Sequence, residues 1–343
     1  MRVLHVVAGL QKASGVTTFV ENVVRVSSEL GHTVDVVTQM DVIPPLAGYD
    51  IIHIHGLWSL WIHKIVGQVC RLARKGSLGR LKIVWSTHGM TAPWSLRHKW
   101  WKKCMYWLFV QKPDLRRAAL IHSTVEKERV WNEALGFSRQ TVIPLGTHLP
   151  ANTDLQATRT TSCRTLLFVG RVYPVKALDR LIEAFAKVKG EGWKLRIVGP
   201  DQAGHQAELV RLCESLKVSN VELAGPKFEV ELNREYAACD CLALVSHTEN
   251  FGATVVDAMA HGKPVITSTN TPWQEVAERK CGWWVDNEPD VLAKALREMM
   301  SLSDEARAEM GARGRQLVEE KYSWRAVAEQ IVAAYQQVLA TPG

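Results

Sequence analysis

Two acidic residues carry the clearest chemical signal in the chain: Glu249 and Asp257 have seven residues between them. The apolar pattern predicts a strand that ends at Ser246 and a helix that begins near Gly252, so Glu249 falls in the loop before a helix N-terminus. Backbone N–H groups at such a place, backed by the positive end of the helix dipole, suit a diphosphate. They belong to Asn250, Phe251, Gly252 and Ala253.

A carboxylate beside such a loop needs a partner other than phosphate. Glu249 can accept hydrogen bonds from two hydroxyls at once, and we therefore expect it to bind a sugar. The alternative is a hydrogen-bond network that caps the helix. Such a cap requires neither the Phe-Gly step nor a second acid on the helix.

A second group follows the strand TLLFV and precedes another helix: Gly170, Arg171 and Lys176. A planar guanidinium and a compact ammonium are natural partners for two adjacent phosphates. Solvated surface cations are the alternative, but positive charge at a helix N-terminus is unfavourable unless an anion compensates it. The pattern therefore predicts a diphosphate site here.

The first half of the chain offers weaker signals. The loop from Gly9 to Val16 contains Ser14 and Gly15 but does not match G-x-G-x-x-G, which disfavours a dehydrogenase. His88 follows the strand KIVW, at the end where a ligand would lie. Taken alone, His88 would be interpreted as a structural histidine of the core.

His53 and His55 alternate along another strand. We expect one of them to face the ligand and the other to face the core, and we assign a role to neither.

Alternating short apolar strands and amphipathic helices position these residues and predict an α/β protein with two doubly wound, Rossmann-like parallel sheets. The two sheets would face each other across a cleft, with the ligand at the carboxyl ends of their strands. We place an N-terminal domain at 1–150, a linker at 151–164 and a second domain at 165–322. The final helix, 323–343, is too apolar for a solvated tail and is expected to dock, crossing back to the N-terminal domain.

With both motifs in place, the chain resembles the retaining glycosyltransferases of family 4, which have the GT-B fold, over nearly its whole length. The family's signature is two acids separated by seven residues in a strand-loop-helix, matched by Glu249 and Asp257; the second acid is usually Glu. The Gly-Arg and Lys of the family match Gly170, Arg171 and Lys176, although Ala177 replaces the usual glycine. The loop before the first helix resembles the family's Gly-Gly loop, with Ser14 in place of the first glycine. In the family this loop approaches the donor phosphate and the acceptor, which would put Ser14 on the acceptor side.

The resemblance implies that the second domain, 165–322, binds the nucleotide-sugar donor and that the first domain, 1–150, is the acceptor side. It also implies a set of catalytic residues around the donor. Glu249 would bind the sugar, Asp257 the ribose, and His88 would lie beside the transferred sugar. The resemblance implies these catalytic residues: His88, Arg171, Lys176 and Glu249. It implies these donor-binding residues: Gly15, Gly170, Arg171, Lys176, Glu249, Asn250, Phe251, Gly252 and Asp257.

The expected reaction moves a sugar from a nucleotide-diphosphate sugar to an acceptor hydroxyl with retention of anomeric configuration. The resemblance is closest to bacterial polysaccharide-assembly enzymes, for which a lipid-linked acceptor is typical. Family members need no metal or other cofactor. This agrees with the residues, since Arg171, Lys176 and a helix dipole can stabilise a departing diphosphate and the chain has no Asp-x-Asp motif.

Charge is unevenly distributed: residues 1–150 hold 19 Lys and Arg against 9 Asp and Glu, whereas the remainder holds 23 against 26. Such an excess attracts an anionic partner. A predicted helix combines tryptophans with four of these cations on the acceptor or membrane side: Arg97, Lys99, Lys102 and Lys103. Basic helices with tryptophan bind anionic membranes, while core packing with a solvated basic face remains the alternative.

Composition excludes several classes of protein. The chain has 343 residues, 47% of them hydrophobic, which is enough for two cored domains. Seven cysteines without a C-x-x-C pair disfavour a disulfide framework or structural zinc. Without a predicted secretory signal or membrane span, we expect a cytoplasmic location, with peripheral contact at the inner face of the plasma membrane.

Other functions remain as alternatives. A nucleotide-sugar epimerase or hydrolase could use the same fold. A non-catalytic protein that binds an anionic ligand would be expected to lose a phosphate cation or Glu249, and both are retained. No nucleic-acid recognition motif accompanies the basic residues, so we expect no nucleic acid as a partner.

Overall fold

The computed structural model describes residues 1–8, 15–38, 44–77, 79–93, 104–151, 163–188 and 190–341. The chain divides into two compact units, one of residues 1–146 and 324–343 and the other of residues 147–323. This division falls four residues before the boundary that the sequence suggests. Most of the expected linker lies outside the described residues.

A six-stranded parallel sheet forms the centre of the first unit. Its strands are β1 Arg2–Val7, β2 Thr33–Val37, β3 Ile51–His55, β4 Lys82–Ser86, β5 Leu120–Ser123 and β6 Gln140–Val142. They lie in the order β2-β1-β3-β4-β5-β6, so the direction of winding reverses between β1 and β3. In the register of these two strands, His5 pairs with His53.

The second unit has its own six-stranded parallel sheet. Its strands are β7 Arg164–Val169, β8 Trp193–Val198, β9 Val221–Gly225, β10 Cys241–Leu244, β11 Val265–Ser268 and β12 Gly282–Val285. They lie in the order β12-β11-β10-β7-β8-β9, and the winding reverses between β7 and β10. In open parallel sheets, ligands bind beyond the carboxyl ends of the strands at such a reversal.

Helices connect the strands of both sheets. Their bounds are α1 Gly15–Glu29, α2 Leu60–Arg74, α3 Lys112–Leu115, α4 Glu126–Ala134, α5 Leu178–Val188, α6 His205–Leu216, α7 Glu229–Ala238, α8 Ala253–Ala260, α9 Glu275–Glu278, α10 Pro289–Ser301, α11 Asp304–Leu317 and α12 Trp324–Ala340. A π-helical turn, Trp107–Gln111, leads into α3, and another, Val318–Tyr322, follows α11. No described helix combines the length and apolar character that a membrane span requires.

Both faces of each sheet are covered, which explains why the central strands are apolar along their whole length. In the first unit, α1 and α12 cover one face through Phe19, Val23, Ile331 and Tyr335, which are all buried. The two faces of this sheet therefore hold separate apolar clusters. The burial of α12 explains its apolar stripe, since that stripe completes the core of the first unit.

Candidate functional site

The point of reversal in the second sheet brings the two predicted motifs together. Gly170 and Arg171 follow β7, Glu249 follows β10, and these two strands pair side by side. The backbone N–H of His247 donates to the carbonyl of Val175 at 2.9 Å, which joins the two loops. The predicted phosphate cations and the predicted sugar-binding acid thus share one edge of one sheet.

Lys176 and Glu249 form a hydrogen-bonded ion pair. The Nζ of Lys176 donates to Oε1 of Glu249, and the Oγ of Ser246 donates to the same oxygen at 2.7 Å. The two charged side chains are only 14% and 12% exposed, so water screens this ion pair weakly. Both hydrogen bonds that Glu249 accepts from described residues end on Oε1, and an ammonium has three donors. Oε2 can therefore meet hydroxyls while Lys176 also meets a phosphate.

A short 3₁₀ turn, Pro174–Lys176, places the lysine. Ala177 ends this turn with a φ of 51° and is buried. A left-handed backbone of this kind favours glycine. This conformation gives a physical reason for the glycine that the resembling family has at this position.

Arg171 lies at the surface of the same edge, where its Nη1 donates to Oε1 of Gln202 at 2.8 Å. The loops after β7 and β8 approach closely: a Cβ on Gly199 would lie 1.8 Å from the carbonyl oxygen of Gly170. Only glycine fits position 199. This contact keeps the start of the Arg171 loop in place and leaves the guanidinium accessible.

The loop before α8 is anchored by an aromatic contact. Phe251 is buried, its ring lies 5.2 Å from that of Trp273, and the indole Nε1 donates to the carbonyl of Phe251 at 2.5 Å. Gly252 has a φ of 77°, and a Cβ there would meet Leu244 at 3.0 Å. Asn250 is exposed. Phe251 and Gly252 therefore shape the loop, while Asn250 faces solvent.

Asp257 lies on α8 with a partner that the sequence did not suggest. The Oγ1 of Thr147 donates to its Oδ1 at 2.6 Å. Thr147 is the first residue of the second unit and pairs with Ser323, the last one. Burial raises the pKa of Asp257 to about 6. Asp257 is the residue predicted to bind the ribose. One of its two carboxylate oxygens thus already accepts a hydrogen bond from Thr147, at the start of the unit.

In the first unit, His88 follows β4 with a φ of 48°. Its neighbours on both sides are bonded to a buried carboxylate: Glu128 accepts from Thr87 Oγ1 at 2.6 Å and from the backbone N–H of Gly89. Glu128 also accepts from the N–H of Thr124 at 2.7 Å. This carboxylate holds the unusual backbone of His88, and no local motif in the sequence marks it.

The expectation for His53 and His55 was wrong. Both are buried, and their rings lie 4.2 Å apart. Residues two apart on a strand point to the same face of the sheet, so the pair could not divide between ligand and core. The Nδ1 of His55 shares a hydrogen bond of 3.0 Å with Nε2 of His88. The period-two rule was the signal that could have found this pair.

Several predicted residues lie outside the described part of the chain: Ser14, Arg97, Lys99, Lys102 and Lys103. Gly15 is the first residue of α1. No described atom lies within 4 Å of a Cβ built on Gly15, so contacts in this structure do not require glycine there. Its place in a donor site stays a prediction.

Comparisons with known proteins show what the chain is similar to. Residues 156–317 match the family described as glycosyl transferases group 1. A D-inositol 3-phosphate glycosyltransferase of Kineococcus radiotolerans is 33% identical in an alignment of 195 residues that covers 51% of this chain and 44% of that protein. The chain thus spans less than half the length of the curated relative that it matches.

Solved structures match the whole chain. The structure of HepE from Anabaena in complex with UDP has a TM-score of 0.72 at 18% identity, covering 98% of this chain and 100% of that one. WaaG, a glycosyltransferase involved in lipopolysaccharide biosynthesis, has a TM-score of 0.63 at 15% identity, covering 99% and 100%. The fold is GT-B. The prediction of two Rossmann-like parallel-sheet domains of this type is confirmed.

In the second domain, the carboxylate of Glu249 is largely buried beside the ammonium of Lys176, and the guanidinium of Arg171 is accessible. All three lie beyond the carboxyl ends of β7 and β10. These groups can bind hydroxyls on one side and phosphates on the other. The first domain offers an uncharged imidazole, because burial lowers the pKa of His88 to about 3.

Proposed function

We propose that the chain is a retaining glycosyltransferase that moves a sugar from a nucleotide-diphosphate sugar to an acceptor hydroxyl. The observation that carries the proposal is the bonded pair of Lys176 and Glu249 at the reversal of the second sheet. The group 1 match over residues 156–317 and the UDP complex of HepE support a nucleotide-sugar donor.

In the proposed reaction, the bond between the anomeric carbon and the diphosphate oxygen breaks, and the acceptor oxygen attacks from the same face. The hydroxyl proton goes to the leaving phosphate. Arg171 and Lys176 stabilise the negative charge of that phosphate, and no divalent metal is needed for this purpose. Glu249 orients the sugar through its hydroxyls, since no described residue bonds to Oε2.

A thermal-shift screen of nucleotide sugars tests the donor. A donor present at about 100 times its dissociation constant adds roughly 2.7 kcal/mol to the free energy of unfolding. We expect one nucleotide sugar to raise the melting temperature and then to yield a glycosylated acceptor with retained configuration. Stabilisation together with rearranged or hydrolysed donor and no transfer would instead favour the epimerase or hydrolase alternative.

We further propose that the enzyme acts in polysaccharide or glycolipid assembly and binds an anionic membrane surface through its first domain. The described residues that follow the basic segment expose three apolar side chains, Met105, Leu108 and Phe109, with exposures of 60%, 54% and 70%. Spaced three and four residues apart, they share one face of a helical turn. Apolar side chains next to cations are what an interfacial helix needs.

Liposome binding tests the membrane contact. Binding to vesicles with acidic lipid should fall steeply with salt, since salt screens exposed charges. Replacing the four cations Arg97, Lys99, Lys102 and Lys103 with Gln should release the protein while nucleotide affinity is kept. Phe109→Ser should weaken binding, whereas Phe228→Ser, at an equally exposed position of the second unit, should not. A wild type that ignores such vesicles at low salt would favour a soluble acceptor.

A further inference from the structure

Five histidine side chains lie together on one face of the first sheet, towards the carboxyl ends of its strands: His5, His53, His55, His88 and His122. They come from three strands and from the loop after β4. Burial lowers the pKa of all five, with His5 at about 3. Each ring is therefore neutral near pH 7 and carries one proton, on Nδ1 or on Nε2.

In the first chain of hydrogen bonds, the last acceptor fixes which atom donates in each bond. The carbonyl of Ile143 can only accept, so His122 donates from Nε2 at 2.7 Å and its Nδ1 must accept from Ser86 Oγ at 2.6 Å. Ser86 then accepts from Nε2 of His53 at 2.6 Å. The Nδ1 of His53 accepts from the hydroxyl of Tyr335 at 2.6 Å. This chain is complete and does not include His88.

A second chain does include His88. Nδ1 of His5 shares a hydrogen bond of 2.8 Å with Nε2 of His55, and Nδ1 of His55 shares one of 3.0 Å with Nε2 of His88. The far end of this chain is Nε2 of His5, which is buried and has no hydrogen-bond partner among the described residues. Buried N–H groups without an acceptor are rarer in proteins than acceptors without a donor. The proton of His5 therefore belongs on Nδ1, where it is bonded.

We propose that His5 and His55 are positioning residues that hold His88 in the tautomer with its proton on Nδ1. His5 donates to His55, His55 donates to His88, and Nε2 of His88 accepts. This inference rests on the proposed function for its consequence: His88 offers the reaction a neutral N–H donor. It hydrogen-bonds to a sugar or phosphate oxygen and does not act as a general base through Nε2.

A metal site is the competing use of these residues, because ligand atoms of His5, His53 and His55 lie within 4.8 Å of one another. A metal would require one unprotonated, unbonded nitrogen from each ring. Both nitrogens of His53 and both of His55 are already in hydrogen bonds. The described contacts thus favour the hydrogen-bonded chain.

Nitrogen NMR of protein with labelled histidine tests the tautomer directly. The His88 signals are assigned from the spectrum of His88→Gln. We expect a protonated Nδ1 and an unprotonated Nε2 in the wild type, unchanged by equimolar zinc. A proton on Nε2 of His88, or zinc shifts on the three buried rings, would overturn the proposal, and this measurement needs no substitution in the relay.

Variants of His5 test the relay itself. His5→Phe removes one hydrogen bond, and we expect the tautomer ratio of His88 to change about tenfold. In His5→Asn, the amide N–H occupies the position of Nδ1, so the wild-type ratio should return. The matched control is His122→Phe, which breaks the other chain at equal depth and should leave the ratio unchanged. A ratio that is the same in folded His5→Phe contradicts the relay.

Kinetics connect the tautomer with the reaction. In His5→Phe, kcat should fall in proportion to the lost Nδ1–H form, while KM for the donor stays within about twofold. If the wild type transfers no sugar, the proposed function fails but the NMR result stands. If transfer is found and kcat ignores the tautomer, the relay has no part in the reaction.

Discussion

The two domains have the same architecture but differ in the side chains towards the carboxyl ends of their strands. At the reversal of the second sheet, an ammonium, a carboxylate and a guanidinium lie together, and the residues concerned are Lys176, Glu249 and Arg171. Towards the carboxyl ends of the strands in the first sheet, five histidines lie together, and burial lowers their pKa values. One edge is suited to charge, and the other to hydrogen bonding without charge.

The two domains also differ in net charge, and the basic excess does not lie in the domain that carries the predicted diphosphate site. The first 150 residues carry the basic excess, yet the bonded charges that fit a diphosphate belong to the mildly acidic second half. Among the described residues of the first sheet's edge, the buried charge next to His88 is a carboxylate, Glu128. The basic excess is therefore not part of the predicted diphosphate site, and we propose that it contributes to a membrane contact.

We expect the largest effect from substitutions at the charged site of the second domain. Lys176→Ala should lower kcat by about 10²–10³-fold, because the leaving diphosphate needs that charge most in the transition state. Arg171→Ala, at a more exposed position, should cost less but still more in turnover than in stability. Lys187→Ala is the matched control, since Lys187 pairs with Asp290 at the surface. Wild-type kcat/KM in both site variants would refute the phosphate assignment.

The next effect distinguishes the proposed roles of Glu249 and Asp257. Glu249→Gln should keep affinity for a nucleoside diphosphate but lose sugar transfer, whereas Asp257→Asn should weaken nucleotide binding as well. Calorimetry with the free nucleotide separates the two acids. Equal losses of nucleotide affinity would end the distinction between a sugar acid and a ribose acid. Asp257→Glu adds a probe of reach, since improved affinity would show that the longer side chain fits.

The first sheet, which holds the five buried histidines, should lose stability in acid. A histidine with a lowered folded pKa stabilises the fold above pH 6.5, and this stability is lost as the pH falls. For His5, with a pKa of about 3, the loss at pH 5 is about 2 kcal/mol. Hydrogen exchange, corrected for intrinsic rates, should show β1 and β3 opening before β7 and β10 at pH 5. His5→Asn should reduce this acid sensitivity, and equal opening of both sheets would contradict the comparison.

Asp257 should respond in the opposite direction. Burial raises its pKa to about 6, so its charged form costs stability as the pH rises from about 4 through 6. Asp257→Asn keeps an oxygen that can accept from Thr147 and removes the charge. At pH 7 the variant should be more stable than the wild type by about 1–3 kcal/mol, and at pH 4 the two should melt alike. A difference that does not depend on pH would exclude a titrating Asp257 as its cause.

Local patterns predicted much of this site. The strand ends, the helix starts and the seven-residue interval of Glu249 and Asp257 all follow from the sequence, because periodicity and capping act over a few residues. Glu128 could not be found in this way. Its carboxylate reaches Thr87 across 41 residues of sequence, and such a contact leaves no local trace.

The sequence by itself determined two parallel α/β domains, and it predicted the side chains that we propose to bind phosphate and the loops that carry them. Only the tertiary structure decided which of these side chains are bonded. Lys176 and Glu249 are 73 residues apart, and Thr147 and Asp257 are 110 apart. A parallel sheet places strands side by side regardless of their distance along the chain, so the ion pair at β7 and β10 and the histidine chains across β1, β3 and β5 come from strand order.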